Sequence, residues 1–213
     1  MTALALRVEA PMVTLRNPLA REFAESFSVP PPSTVYGMLL SMVGEEHRRR
    51  HAGVELALAM LSEPATSVLL RTVWRIKVAN ASPGSQANRR MDFQEVLTDV
   101  RFAVWVDSTR ERTPGPTLED RLRVALDRPS EISRYGGLSL GESRDLVDTV
   151  CPLRVRPGEQ ARWLMPDVAG AQALPVWPDH VAGASTRWAR FREERAALTE
   201  VCDRAHFVSI APT

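Results

Sequence analysis

The chain has 213 residues, 44% hydrophobic and 25% charged, with 27 Lys and Arg against 26 Asp and Glu and a formal net charge of +1. That make-up suits a globular chain able to bury a substantial core, as one large domain or a domain with a smaller appendage, and its apolar runs are too short for a membrane span. Its two cysteines, Cys151 and Cys202, stand apart with no CxxC spacing, so neither a disulfide framework nor a zinc site is supported and they read as small core residues.

In chain order, Leu4, Leu6 and Val8 alternate with Ala5, Arg7 and Glu9, the period of a half-buried strand over residues 3–9. The opening segment lacks a basic stretch ahead of a continuous apolar run, so no signal peptide is read and a cytoplasmic location is expected. Residues 10–32, broken by prolines and carrying Arg16, Arg21, Phe23 and Phe27, read as an ordered loop. An amphipathic helix follows, with Ser33 as N-cap, an apolar face of Val35, Met38, Leu39, Met42 and Val43, and Gly44 at the C-terminal cap. "GVELALAMLSEP" reads as a second helix ending at Pro64, and residues 66–79 as a β-branched strand. "SPGSQANRR" is a polar tip, after which Val100, Phe102, Val104 and Val106 alternate, so two long strands form an extended hairpin.

Thr117, with Asp120 three residues on, caps a helix that Pro129 ends. A glycine-rich turn and a strand near 145–155 come next. Beyond Pro157 the Pro, Gly and Trp content reads as irregular, and Trp188, Phe191, Arg195, Leu198 and Cys202 recur at helical steps toward a terminal amphipathic helix. The order strand, helix, strand, strand, helix approaches a ferredoxin-like α+β layer arrangement, as residues 1–156, with 157–213 as an appendage.

Two features point to a polyanion. Almost every cation is arginine, Lys77 being the single lysine, and residues 71–90 carry Arg71, Arg75, Lys77, Arg89 and Arg90 with no acidic residue among them. In "VPPPSTVYGMLLSMVG" the prolines withhold amide donors, so the first free N–H groups gather at the helix tip beside the Ser33 and Thr34 hydroxyls, which suits a phosphate. Gly37 costs about 1 kcal/mol relative to alanine inside a helix, which implies close approach of another backbone. The competing reading is a well-capped helix packed tightly on a sheet.

The same stretch resembles the Pro-Ser-Thr-x-x-Gly-Met/Leu-Leu segment of the fifth Cas family, the handle-binding subunit of the type I CRISPR complex called Cascade. "RRMDFQEVLTDVRFAVWV" and "YGGLSLGESRD" are consistent with it, so the resemblance spans about residues 3–145. It implies a ferredoxin-like, RRM-related domain with a protruding hairpin thumb at about 71–106 that binds the 5′ handle of CRISPR RNA. Its expected neighbours are the filament-forming backbone subunit and the large subunit, with target DNA met only through the complex. On this reading Ser33, Thr34, Tyr36 and Gly37 face RNA, with Arg16, Arg21 and Arg144 completing a basic cleft. Trp74, Arg75, Lys77, Arg89 and Arg90 contact RNA or the adjacent filament subunit, with the alternative that Trp74 packs inward.

Some members of that family cleave precursor RNA without metal, which needs a general base near a 2′-hydroxyl and a cation for the phosphate. The histidines, His47, His51, His180 and His206, lie in neither the hairpin nor the glycine loop. Tyr36, Tyr135 and Lys77 are the remaining candidates. No clustered metal ligands and no nucleotide-binding glycine motif occur, so no cofactor is expected. Three readings stay open: a noncatalytic handle-binding subunit, a metal-independent endoribonuclease of the same fold, and an α+β protein-interaction module.

Overall fold

The computed structural model describes residues 3–20, 23–74, 78–82, 85–112, 114–180 and 185–212. Its elements in order are β1 (Leu4–Val13), α1 (Pro32–Met42), β2 (Glu55–Met60), β3 (Ala65–Trp74), β4 (Arg89–Asp107), α2 (Leu118–Asp127), β5 (Thr149–Pro152), β6 (Gln160–Pro166), β7 (Gln172–Trp177), β8 (Arg187–Ala197) and β9 (Val208–Ser209). The strands form one antiparallel sheet, ordered β5-β1-β4-β2-β6-β8-β7, with β3 added along β4 and β9 against β2. The molecule is therefore α+β.

Alternation along the central strands divides the interior. Leu6, Val8, Leu56, Leu58, Phe102 and Val104 pack on the helix side against Val35 and Leu39 of α1 and Leu118 and Leu122 of α2. Ala57, Ala59, Ala103 and Trp105 face the other way, against Trp163, Leu153 and Leu198. That second face is covered by the chain after β8: Trp105 Nε1 donates to the Glu200 carbonyl at 2.9 Å, and Trp105 and Trp163 stack at 4.6 Å.

β1 runs past Ala10 because its partner β5 reaches only to Glu9, so Pro11 removes no donor from that side. At α1 the helix begins earlier than expected. Pro31 is the N-cap and Pro32 stands at N1, where its fixed φ suits a helix and its missing N–H costs nothing; Ser33 caps nothing and lies buried in the first turn. At the other end Val43 is the C-cap and Gly44 follows at φ +64°, with Gly44 N donating to Ser41 O (3.1 Å) and Glu45 N to Leu40 O (2.9 Å), a Schellman motif. In α2 the capping box forms as read: Asp120 N donates to Thr117 Oγ1 (3.1 Å) and Thr117 N to the Asp120 carboxylate (3.1 Å). Thr117→Ala is expected to cost about 1 kcal/mol in urea unfolding.

Three expectations are overturned. "GVELALAMLSEP" holds strand β2, in which Leu56, Leu58 and Met60 face the helices and Ala57 and Ala59 the opposite face. Leucine and alanine are strong helix formers, and the two-sided burial between β4 and β6 overrides that preference. Residues beyond Pro157 are regular, as β6 and β7, and residues 187–197 form β8 rather than a terminal helix. There Arg162 of β6 pairs across the sheet with Glu193 of β8 (2.6 Å), and Arg192 of β8 reaches Asp167 just past the end of β6 (3.2 Å). β6, β7 and β8 extend the same sheet, and their Leu164, Leu174 and Phe191 enter the core shared with β1 and α1.

Candidate nucleic-acid interface

The outer side of α1 is the floor of a groove. Thr34, Gly37 and Ser41, at three- and four-residue steps, present one stripe. Around it lie two adjoining concavities of about 540 and 680 Å³. Arg16, Ser33, Thr34, Ser139, Gly141 and Glu142 line the first, Gly44, Glu46, Ser133, Arg134 and Tyr135 the second, and Gly37, Ser41, Arg48 and His180 both.

Local chemistry sets each wall. Arg16 is exposed and held by a bridge to Ser26, with Leu15 N donating to Ser26 Oγ at 2.8 Å. The glycine loop is anchored by fully buried Leu140 and by the Asp145 carboxylate, which accepts from Thr14 N at 2.6 Å. Gly141, at φ +94°, lies so close to β1 that an added Cβ would stand 2.3 Å from the Thr14 carbonyl oxygen. Gly37 is the opposite case: it is exposed, and a Cβ there would meet nothing within 4 Å. The close approach inferred from sequence is thus not made by this chain to itself, and the open surface belongs to the groove.

Of the residues singled out from sequence, the fold brings Arg16, Ser33, Thr34 and Gly37 to one concavity. Tyr36 is corrected: it is fully buried, donates its hydroxyl proton to the Arg48 carbonyl at 2.7 Å and packs against Trp177, so it does not face the groove. Burial also pushes its phenol well above the ordinary tyrosine range, which unsuits it to act as a base. Arg144 is engaged by the Glu142 carboxylate (3.2 Å) and the Gln94 side chain (3.1 Å), with Arg71 also on Glu142 (2.9 Å), so these arginines fasten β3 and β4 to the glycine loop. Those contacts hold Glu142 below the usual carboxylate range despite its partial burial, which acts in the opposite sense. Arg89 and Arg90 are exposed at the start of β4, opposite Trp74 and Val73 in register. Arg21, Arg75 and Lys77 lie outside the described residues, and for Trp74 only the backbone is described.

Sequence reasoning placed none of Arg48, Arg134, Tyr135 and His180 at an RNA-binding surface, and the fold brings all four to the groove. Arg48 carried no assignment in the sequence, and His180 is 132 positions from it although their side chains meet at 3.0 Å. Two other histidines, His51 and His206, are engaged elsewhere. His51 is buried, with Nδ1 2.7 Å from Glu111 and Nε2 2.9 Å from Arg121. His206 stacks on Trp163 and lies 3.3 Å from Cys202 Sγ, a thiol pushed up to about 12, chiefly by burial, and so a poor nucleophile. Among the described residues no group of three His, Cys, Asp or Glu is placed to hold a metal ion, and no helix is long and apolar enough to cross a membrane.

Comparison with known proteins adds three findings. The family model described as CRISPR-associated protein (Cas_Cas5) matches residues 3–139. A "CRISPR-associated protein Cas5" of Myxococcus xanthus (strain DK1622) is 40% identical over 200 residues, 93% of this chain and 94% of that one. In fold, a chain of a "CRISPR RNA-guided surveillance complex" superposes with a TM-score of 0.65 at 15% identity, covering 92% of this chain and 91% of its own, and a structure described as "Crystal structure of Cas protein" does so at 0.54 and 16%, covering 93% and 97%.

Proposed function

The chain belongs to the CRISPR-associated Cas5 family, and from that premise we propose that it is a noncatalytic subunit of a type I Cascade complex, binding the 5′ handle of CRISPR RNA and capping the backbone filament beside the large subunit. The observation that carries this reading is the groove over α1, where Arg16, Arg48 and Arg134 line a surface floored by an exposed helical glycine and flanked by Tyr135, which is 93% exposed. Arginines that track a backbone beside an open aromatic face are the make-up of a single-strand RNA surface. The topology supports it. Taking β1, α1, β2, β4, α2 and β5 as a βαββαβ unit, the order β5-β1-β4-β2 is that of a ferredoxin-like layer, and β3 with the first half of β4 is the two-stranded thumb. Arg89 and Arg90 on that thumb serve RNA or the adjacent filament subunit. Target DNA is met only through the assembled complex.

Of the candidates for a base, Tyr36 is buried and His51 and His206 are engaged away from the groove, while Tyr135 and His180 lie at it, so an RNA-cleavage assay distinguishes the noncatalytic from the endoribonuclease reading. Repeat RNA incubated with the protein in EDTA is expected to stay intact, while filter binding of the same RNA weakens steeply as salt rises. Cleavage in EDTA would sink the noncatalytic assignment. Salt-independent or absent binding would return the chain to the protein-interaction reading. Gly37→Val adds bulk in the groove at a position where the Cβ would meet nothing within 4 Å, so it is expected to fold, melt near the parent temperature and bind handle RNA more weakly. Undiminished binding by that variant would remove α1 from the interface.

A further inference from the structure

Arg48 stands where the two concavities meet, and no carboxylate among the described residues pairs with its guanidinium. Cζ lies 4.7 Å from the centroid of the Trp177 ring and 5.8 Å from that of Tyr36, a cation resting on aromatic faces. Nη1 is 3.0 Å from His180 Nε2, and since a guanidinium only donates, that ring nitrogen accepts. Nε and Nη2 are covered and have no hydrogen-bond partner among the described residues. Glu45, also at the groove, is taken by Arg121 and Arg50, and Glu142 by Arg71 and Arg144. Burial accordingly lowers the Arg48 side chain from the ordinary arginine range, with no carboxylate acting to restore it. A cation desolvated this far and left unpaired is costly unless an anion completes it.

We propose that Arg48 and His180 form a receptor for one phosphodiester of single-stranded RNA at the centre of the groove, with Trp177 holding the guanidinium in register. The inference rests on the RNA-binding reading and names the residues at its core. The ligand is a polymer rather than a lone anion, because Arg16 lines the concavity on one side of Arg48 and Arg134 and Tyr135 that on the other. Successive cations along one groove match successive phosphates, and the bare Gly37 backbone gives the sugar-phosphate chain room between them. An acidic peptide would find the charges but would leave the Tyr135 ring without a base to stack on.

Arg48→Met tests this, since it keeps an apolar stem against Trp177 and removes only the charge and donors. Filter binding over a salt series, with repeat-derived handle RNA and a scrambled RNA of equal length, should show both bound about 10- to 100-fold more weakly than by the parent protein. The slope of log K against log salt should be shallower by about 0.7, one single-strand phosphate. His180→Gln, at an exposed position, should weaken both RNAs to a lesser degree, and serves if Arg48→Met does not melt cooperatively. A folded Arg48→Met, or failing that His180→Gln, with unchanged affinity and slope overturns the receptor while the parent protein's own binding upholds the RNA reading. A loss confined to handle RNA overturns a phosphate contact in favour of base recognition. If the parent binds poly-glutamate and neither RNA, both readings fall.

Discussion

Glu111→Ala is expected to lower the unfolding free energy by about 2–6 kcal/mol, the cost of leaving two buried donors without the carboxylate that accepts from both. The Glu111 side chain is 2% exposed and accepts from His51 Nδ1 (2.7 Å) and from Leu118 N (2.9 Å), the first amide of α2. Its loss leaves two buried donors without partners, and each such orphan costs about 1–3 kcal/mol. Arg121, on the far side of His51, also reaches Glu45 and the Val43 carbonyl just beyond α1, so the damage spreads from α2 to the turn that carries Arg48. Glu111→Gln should lose less, because one amide oxygen still serves Leu118. Urea unfolding with an unchanged m-value measures the difference. A Glu111→Ala loss under about 1 kcal/mol would mean that the network contributes little to stability.

Gly141→Ala should destabilise by about 2–4 kcal/mol and abolish handle binding together, which separates it from Gly37→Val. An alanine at φ +94° is strained whatever its surroundings, and here its Cβ would stand 2.3 Å from a backbone oxygen of Thr14, which has no rotamer by which to yield. The glycine loop and the end of β1 must part, breaking the Asp145 bond to Thr14 N and displacing neighbouring Arg16. Thermal melting together with filter binding checks both halves. A variant that melts like the parent and binds RNA normally would show that these two walls need not touch.

What could be read locally was read well. The Schellman turn at Gly44, the Thr117–Asp120 capping box and the alternation of β1 and β4 each depend on residues within a few positions, and local propensity agrees there with the tertiary environment. The family resemblance rested on the same kind of contiguous stretch, "VPPPSTVYGMLLSMVG" above all.

The rest was decided by packing. Strands β2 and β8 are written in Leu, Ala, Arg and Glu, residues that serve a helix as readily as a strand, and only their position between paired neighbours selects the extended form. Tyr36 looked available beside Ser33 and Thr34, but the two helical steps from Thr34 rotate it onto Trp177 and into the core. The groove itself joins Arg16, Arg48, Arg134 and His180 from separate parts of the chain. The sequence by itself determined where chain direction changes, which faces are apolar and which family these patterns resemble, because those properties follow from neighbours in the chain. Only the tertiary structure decided which cations remain unpaired, because whether an arginine meets a carboxylate, as Arg144 does, or rests unpaired on an aromatic ring, as Arg48 does, depends on residues distant in sequence.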